Sequence, residues 1–358
     1  MAVLLTEILR RAAIRVRLVD LPDARKRHDG QMPLCGGLAI FAAFAIAALA
    51  FNSTALVAQG NLALALAILV GSGVADDRWR LPVAPRLAMH FAAALLLVLY
   101  GAPYAFHLAN VPYGVVPAAL FPVIVIFAAT FIVGVVNATN MSDGVDGLAG
   151  GWSAAALFWL AQIAHNAGRP DMMFVALLLL AAIVGFLTFN MRHPWRPKAS
   201  IFMGDAGSIG IGGAIGYFIV ALSSGAHGVS FLSLLWIVVL PMTDMASLIV
   251  RRILAGRSPM SADRWHLHHL ALDLGIPHGA ASGLIVFASA SCGAVAYFGP
   301  RLGVPDMVLA AGLLVPIALH GLFVLFAGRR IVAIAGAPRQ AGEPALVITA
   351  RGFEATGQ

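Results

Sequence analysis

A glycine-rich polar stretch, residues 137–151, carries two carboxylates three residues apart, Asp143 and Asp146. If residues 142–148 form the first turn of a helix, both carboxylates lie on one face of it. Two carboxylates so placed repel each other unless a cation lies between them, and magnesium combines one or two carboxylates with substrate phosphates. Asn, Asp and Gly are also common in an ordinary turn between two helices. The stretch therefore predicts either a metal–phosphate site or a polar turn.

Two further acidic motifs lie where long apolar segments end or begin. Asp76 and Asp77 are adjacent at the end of one such segment, followed by compensating arginines. Adjacent helical residues do not face one ligand, so we expect one acid to act in chemistry and the other to hold a loop or a base. Asp205, within residues 202–208, precedes another apolar segment. It is predicted as an N-cap, with Ser208 at the third helical position, as a carboxylate beside phosphates and their metal, or as both together.

A third kind of motif is a cluster of imidazoles within residues 264–269. Three histidines and one arginine fall there, namely Arg264, His266, His268 and His269. Zinc is the obvious rival, but both cysteines are far away in apolar segments and the spacing matches no common zinc pattern. Imidazole and guanidinium groups can instead donate hydrogen bonds to a pyrophosphate from a loop. A solvated loop helix is the alternative interpretation.

Three more polar residues fall inside predicted membrane spans. Asp244 lies in an apolar segment, where an acid is costly and a functional or paired role is the default expectation. Pairing with a loop arginine is an equally good prediction, because Asp244 is near the end of its span. For His90 and His320 we predict buried or polar packing roles.

The composition indicates an all-α polytopic membrane protein. Of 358 residues, 60% are apolar and only 11% are charged, and the mean hydropathy is +0.89. We see no strand alternation and no internal repeat. About ten transmembrane helices are predicted, or eleven if a complete first helix exists, since Arg10 follows only about nine residues and a span needs about 20. The predicted spans are 34–51, 61–75, 84–101, 114–136, 147–165, 172–189, 206–223, 229–250, 280–299 and 307–327.

The distribution of positive charge predicts which side of the membrane each loop faces. One side carries 21 of the 23 Lys and Arg residues, and the other carries only Arg169 and Arg301. The positive-inside rule makes the first side cytoplasmic, and every motif described above lies there. Nucleic-acid binding is a poor explanation, because the basic residues fall in short loops between apolar runs. We predict one integral membrane domain over residues 1–327 and a loosely ordered, polar cytoplasmic tail over 328–358.

Taken in order, these motifs resemble those of the polyprenyl-phosphate N-acetylhexosamine-1-phosphate transferases, glycosyltransferase family 4. The resemblance covers roughly residues 18–275. Residues 258–269 look like the branch of bacterial UDP-GlcNAc:undecaprenyl-phosphate GlcNAc-1-phosphate transferases. The phospho-MurNAc-pentapeptide transferases of peptidoglycan synthesis, the alternative, usually show three consecutive histidines there. Family members usually have a full membrane helix before the loop at Asp20. This sequence departs from that pattern, because the segment before Arg10 is too short to span a membrane. The motifs that carry the resemblance are 20–37, 76–78, 137–151, 202–208 and 259–269.

The resemblance implies a reaction at the cytoplasmic face of a bacterial inner membrane. Undecaprenyl phosphate would displace UMP from a UDP-N-acetylhexosamine, most simply UDP-GlcNAc, to give a lipid-linked diphospho-sugar. This would be the first lipid-linked step of O-antigen, exopolysaccharide or another cell-envelope glycan. Magnesium is implied as cofactor, with manganese as an alternative, and a homodimer is left open. A secondary transporter is the distant rival, but it would place charges near the bilayer midplane in related halves.

The resemblance also implies a role for each matching residue. Asp205 and Asp143 would bind the metal, Asp76 would act as base or activator of the lipid phosphate, and Asp77 would be a further catalytic acid. Asn190 would lie in the metal–phosphate site, while Asp146 and Phe202 would hold the uracil by a hydrogen bond and by stacking. The remaining substrate-binding residues would be Asn140, Arg252, Arg264, His266, His268 and His269.

Overall fold

The computed structural model describes residues 1–20, 30–51, 60–101, 106–108, 120–193, 195–225, 228–261, 264–335, 345–349 and 352–356. Residues 21–29, which belong to the motif 20–37, lie outside the described residues. The helices are α1 (Ala2–Arg15), α2 (Gly36–Phe51), α3 (Gly60–Trp79), α4 (Val83–Gly101), α5 (Phe121–Ser142), α6 (Leu148–Asn166), α7 (Pro170–Asn190), α8 (Gly204–Leu222), α9 (Phe231–Leu234), α10 (Val239–Leu254), α11 (Leu267–Asp273), α12 (His278–Arg301), α13 (Asp306–Gly312) and α14 (Leu314–Ala335).

The helical membrane architecture predicted from the sequence is confirmed, and the number of spans stays a prediction. Six helical segments of the described chain are long and apolar enough to cross a membrane. A seventh candidate is α9 with its 3₁₀ turn, followed by α10 at a bend of 79°. Helices α2, α4 and α6 occupy three more of the predicted spans but are shorter or less apolar. Each of the ten predicted spans therefore matches a helix or a helix pair.

Helix α8 is the centre of the bundle, and small residues put it there. Nearly all of its side chains are buried. A Cβ atom at Gly37 of α2 would overlap the backbone of Gly207, and one at Gly73 of α3 would overlap the backbone of Ala206. On another face, a Cβ at Gly212 would come within 2.7 Å of the Val136 Cα in α5. Small residues let membrane helices approach backbone to backbone. The start of α8 is thereby held against α3 and α5, which carry the other acidic motifs.

Short extended segments join the loops on the same end of the bundle. Strands β1 (Val19–Asp20) and β2 (Met32–Pro33) pair in antiparallel fashion. The chain before α8 joins them, because the Phe202 N–H donates to the Pro33 carbonyl at 2.9 Å and the Gly36 N–H donates to the Phe202 carbonyl at 3.0 Å. The described part of motif 20–37 and motif 202–208 therefore form one structure.

The end of the chain differs from the sequence expectation. Helix α14 continues beyond the predicted span to Ala335, and β3 (Ala345–Thr349) pairs with β4 (Gly352–Thr356) as an antiparallel hairpin. Part of the tail that we expected to be loosely ordered thus has a regular conformation, and strands occur where we saw no strand alternation. Five-residue segments are too short for periodicity to identify with certainty. The division into domain and tail stays a prediction.

Candidate active site

Asp77 caps the helix that carries Asp205. The Asp77 Oδ1 atom accepts a hydrogen bond from the backbone N–H of Asp205 at 2.9 Å, and Oδ2 accepts one from Ala206 at 3.3 Å. Gly204 begins α8 with φ of +73°, and a Cβ there would approach Asp77 Oδ2 to 2.7 Å. The N-cap of α8 is Met203, with no side-chain cap of its own. The alternative in which Asp205 is the N-cap is therefore wrong: an acid from another helix satisfies the free N–H groups.

Asp76, the other member of the pair, is buried and fixed from two sides. Its Oδ1 atom accepts a hydrogen bond from the Leu81 N–H at 2.7 Å, and its Oδ2 atom pairs with Arg86 Nη1 at 2.5 Å. Its carboxyl group also lies within hydrogen-bonding reach of Asp205. The expectation that the two acids divide their tasks fits this geometry, since Asp77 holds backbone and Asp76 faces another carboxyl group.

Asn140 connects α5 to the same point. Its Nδ2 atom donates to Asp205 Oδ1 at 2.6 Å and to Ser208 Oγ at 3.1 Å. Ser208 in turn donates to the Gly204 carbonyl at 3.2 Å. Because α5 extends to Ser142, two turns beyond the predicted span, Asn140 reaches Asp205 from the last turn of a helix. Asp205 is thus surrounded by groups from α3, α5 and α8.

Asp143 and Asp146 lie in a tight turn between two helices, so the condition under which they would share one helix face, a first helical turn at residues 142–148, is not met. Helix α5 ends at Ser142 and α6 begins at Leu148, and Gly147 between them has φ of +77°, which glycine adopts without strain. Loss of hydration raises the pKa of the Asp143 carboxyl to about 7, and the carboxylates of Asp77 and Asp146 add to the effect. This concentration of negative charge favours a cation.

Asp146 and Asn190 hold the turn in place. The Asp146 Oδ2 atom pairs with Arg192 Nε at 2.7 Å and accepts a longer bond from the Ala199 N–H at 3.4 Å. Asn190, which is buried, accepts from the Gly147 N–H at 2.8 Å and donates to the Ile201 carbonyl at 3.0 Å. Both side chains therefore tie the segment after α7 to the turn. Their predicted contacts with uracil and phosphate stay predictions, as does stacking by Phe202.

The histidine cluster packs against this turn. His268 is 2% exposed, and a Cβ at Gly144 would overlap its Nε2 atom. The rings of His266 and His268 stack with centroids 5.3 Å apart, and those of His268 and His269 are 4.3 Å apart. Burial lowers the pKa of His268 well below its usual value, and the neighbouring His269 and His266 lower it further. His268 is accordingly a neutral imidazole with one N–H to donate.

The two arginines assigned to substrate binding have partners within the protein. Arg252 is buried, and its Nη1 atom donates to the Pro259 carbonyl at 2.6 Å. Arg264 Nη2 pairs with Asp273 Oδ1 at 2.9 Å on the surface. Both contacts shape the loop between α10 and α11. Phosphate binding by either arginine stays a prediction.

Asp244 corrects a prediction about pairing. Among the described residues its side-chain partners are two histidines, His266 and His320, and not a loop arginine. The polar packing role predicted for His320 is therefore specified by this contact, and His90 is buried in α4 as expected. A residue 76 positions further along the chain could not be identified from the sequence around Asp244.

The donor set near Asp205 fits magnesium. Asp76, Asp77, Asp143 and Asp205 offer hard oxygen atoms, and the ion pair of Asp76 with Arg86 offsets only part of their combined negative charge. Within the described part of the chain no group of three or more His, Cys, Asp or Glu side chains is arranged as a metal cage. Magnesium usually takes only one or two carboxylates from a protein and completes its coordination with phosphates and water.

Comparison with known proteins identifies the family. The model of glycosyl transferase family 4 matches residues 60–223. An undecaprenyl-phosphate alpha-N-acetylglucosaminyl 1-phosphate transferase of Yersinia pestis is 32% identical over 90% of this chain and 88% of its own length. Proteins of the same name from Escherichia coli and Haemophilus influenzae are 32% and 30% identical, over 87% and 90% of this chain and 85% and 90% of their own lengths. The chain belongs to glycosyl transferase family 4. It is therefore a sugar-phosphate transferase.

The family assignment covers the acidic centre more directly than the histidine cluster. The matched region of this family 4 chain runs from α3 to the end of α8 and so includes every acid around Asp205. Residues 264–269 lie beyond the matched region, so their assignment to the family depends on the relatives that align over most of the chain. Sequence reasoning missed Arg86 and Arg192 as partners of the acids. Arg86 follows the Asp76 motif closely, at the start of α4, whereas Arg192 is 46 residues from Asp146 and local spacing does not connect the two.

Proposed function

We propose that the protein transfers GlcNAc-1-phosphate from UDP-GlcNAc to undecaprenyl phosphate. An oxygen of the lipid phosphate attacks the phosphorus that carries the sugar. The bond from this phosphorus to the bridging oxygen breaks, and UMP leaves with the electron pair. The products are undecaprenyl-diphospho-GlcNAc and UMP. The names of the relatives support this substrate pair, since all three are called undecaprenyl-phosphate alpha-N-acetylglucosaminyl 1-phosphate transferases.

The observation that carries the proposal is the convergence of Asp76, Asn140 and Asp205 from three helices. Phosphoryl transfer needs alignment and charge neutralisation more than covalent help from the protein. A rigid acidic centre at the ends of membrane helices is suited to a reaction between a lipid phosphate and a water-soluble nucleotide. A transporter would place its charged groups near the bilayer midplane instead.

The roles of the acids follow from their contacts. Asp205 and Asp143 would hold Mg²⁺, which when bound neutralises and aligns phosphate oxygens, with Mn²⁺ as an alternative. Asp77 fixes the backbone of Asp205, and Asn140 fixes its side chain. Asp76, oriented by Arg86, would accept the proton of the lipid phosphate or orient it. The histidine cluster, next to Gly144, would contact the pyrophosphate and the sugar.

We further propose that the centre faces the cytoplasm of the inner membrane, on the basis of the asymmetry in Lys and Arg. Reporter fusions test this orientation. A fusion after Arg330 should be active only as a cytoplasmic reporter, and one in loop 102–113 only as a periplasmic reporter. Two fusions reporting the same side would contradict the span count.

The reaction is tested with purified protein, undecaprenyl phosphate and UDP-sugar labelled in the sugar. Release of UMP must equal the label that passes into the lipid phase, must stop with chelator and must return with Mg²⁺. Competition between UDP-GlcNAc, UDP-GalNAc and UDP-MurNAc-pentapeptide assigns the sugar. Preferred turnover of the pentapeptide substrate would overturn the proposed branch, and no UMP release from any of the three would overturn the function.

A further inference from the structure

Asp244 is a buried carboxylate. Within the described residues it makes three hydrogen bonds, two with the segment that carries the histidine cluster and one with α14. Its Oδ2 atom contacts His266 Nδ1 at 3.1 Å. Its Oδ1 atom accepts the backbone N–H of Leu267 at 2.9 Å and contacts His320 Nε2 at 3.1 Å. Asp244 and both histidines are at most 8% exposed. The acidic centre described above does not include this group.

We propose that Asp244 is a positioning residue for the transfer reaction: it fixes the ring of His266 and the start of α11, with His320 as its second anchor. The proposal rests on the proposed function, in which the histidine cluster contacts pyrophosphate and sugar. It names a residue that acts through His266 and touches no substrate itself.

The chemistry of the contact determines the state of the His266 ring. A carboxylate only accepts hydrogen bonds, so the Nδ1 atom of His266 must carry a proton. Nε2 is then the ring nitrogen left to interact with a ligand. The Leu267 N–H is one of the free donors at the start of α11, and the same carboxylate accepts it. One side chain thereby fixes both the ring and the backbone next to it.

The contacts continue from this carboxylate to the acidic turn. His266 stacks on His268, and the His268 Nε2 atom lies against Gly144, next to Asp143. A shift of the His266 ring would therefore be transmitted to the turn through two close contacts. Asp244 also borders a cavity of about 20 Å³ that His268 and Trp152 line, so this side of the cluster has almost no free space.

The energetic cost of the arrangement argues for a specific role. Burying a carboxylate is unfavourable unless hydrogen bonds replace its hydration, and replacing a buried ionic group by apolar residues is often neutral for stability. A helix that only had to pack could use an apolar residue at position 244. The carboxylate is suited to hold one histidine in one tautomer, as a carboxylate does for other functional histidines.

Asp244→Asn tests the proposal because it keeps the size of the side chain. The amide has one acceptor oxygen in place of two. If this oxygen accepts the Leu267 N–H, the amide nitrogen faces His266 Nδ1 and the ring must change tautomer or turn; in the opposite orientation the amide nitrogen faces the Leu267 N–H and the start of α11 loses its acceptor. We expect kcat/KM for UDP-GlcNAc to fall about 10- to 100-fold, the range for groups that orient a functional histidine. The KM for undecaprenyl phosphate should stay unchanged, because that substrate is assigned to Asp76. A rise in the KM for undecaprenyl phosphate as large as that in the KM for UDP-GlcNAc would indicate general damage and overturn the proposal.

His320 supplies a second variant and its matched rescue. His320→Leu removes one donor to Asp244 and should lower kcat/KM for UDP-GlcNAc in the same direction, by a smaller factor. His320→Gln places an amide N–H near the position of Nε2 and should restore activity. If Asp244→Asn does not fold, the two His320 variants still test the proposal. Equal activity of His320→Leu and His320→Gln would overturn it.

A double-mutant cycle tests whether Asp244 acts through His266. His266→Asn retains a donor near the Nδ1 position but lacks the second ring nitrogen. In the His266→Asn background, Asp244→Asn should lower kcat/KM for UDP-GlcNAc little further, because residues that act as a unit give non-additive losses. Fully additive losses would show that Asp244 acts independently of His266.

Hydrogen–deuterium exchange separates this proposal from the proposed function, because it needs no turnover. The peptide containing residues 264–274 should exchange faster in Asp244→Asn and His320→Leu, and at the wild-type rate in His320→Gln and in the control Asp171→Asn. Wild-type exchange in Asp244→Asn would overturn the anchoring itself. Faster exchange together with undiminished transfer would overturn its role in the reaction.

Discussion

The Asp77 Oδ1 atom accepts the backbone N–H of Asp205 at 2.9 Å, so an acid of one helix fixes the start of another that lies 128 residues away. The two helices meet there because Gly73 permits contact with the Ala206 backbone. The acid that we assign to the metal is therefore placed by an acid that we first assigned to catalysis. The first three predictions follow from the contacts around Asp205.

Substitutions of Asp77 should separate capping from chemistry. Asp77→Ala removes both acceptors and should lower stability by about 0.5–2 kcal/mol, as loss of a helix cap does, with a large loss of UMP release. Asp77→Asn retains a carbonyl acceptor and should lose clearly less of both. Thermal unfolding in detergent and UMP release measure the two effects. If the Asn variant is as inactive as the Ala variant while remaining stable, the charge of Asp77 takes part in the chemistry.

Asp205→Asn should abolish turnover and leave the fold intact. The amide keeps the shape of the side chain, but it removes the charge that would hold Mg²⁺, which is worth several kcal/mol in such reactions. We expect UMP release to fall about a hundredfold or more, since about 1.4 kcal/mol corresponds to tenfold in rate. Asp171 lies in the first turn of α7, at the other end of that helix from Asn190. Asp171→Asn is the matched control and should be fully active. An active Asp205→Asn enzyme would reduce Asp205 to a structural residue.

Asp76→Asn should act mainly on the rate. General-base assistance contributes about two to four orders of magnitude, and kcat should fall by that factor while the KM for UDP-GlcNAc changes little. Arg86→Lys keeps a positive charge beside Asp76 and should lower kcat much less than Asp76→Asn does. Steady-state kinetics with both substrates measure these effects. A loss below about tenfold for Asp76→Asn would remove it from the role of base.

Two glycines of α3 form a matched pair that tests the helix packing. A Cβ at Gly73 would overlap the Ala206 backbone, whereas one at Gly71 meets no atom within 4 Å. Gly73→Ala should cost about 1–3 kcal/mol as overpacking and should reduce transfer by displacing Asp205. Gly71→Ala should be neutral or stabilising by up to about 1 kcal/mol, because alanine favours the helix. Equal unfolding midpoints for the two variants would contradict the close contact of α3 and α8.

The sequence by itself determined the class of the protein and its family. High hydropathy indicated a helical membrane protein, and the order of the motifs indicated the family. Hydrophobic length and local spacing carry this information, because the bilayer requires long apolar helices. From adjacency we also predicted that one of Asp76 and Asp77 acts in the chemistry and the other holds a loop or a base, since neighbours on a helix point in different directions. The structure shows Asp77 as a helix cap, and the reactive role of Asp76 stays a prediction.

Only the tertiary structure decided which side chains meet. The cap of α8 comes from Asp77, the partners of Asp244 are His266 and His320, and Arg192 neutralises Asp146. The structure also decided between the helical turn and the polar turn that the sequence left open at Asp143, in favour of a tight turn. The physical reason is that a hydrogen bond between distant segments depends on how closely their helices pack. Helices α3, α5 and α8 converge through backbone contacts at small residues, and local sequence patterns do not specify which glycine meets which backbone.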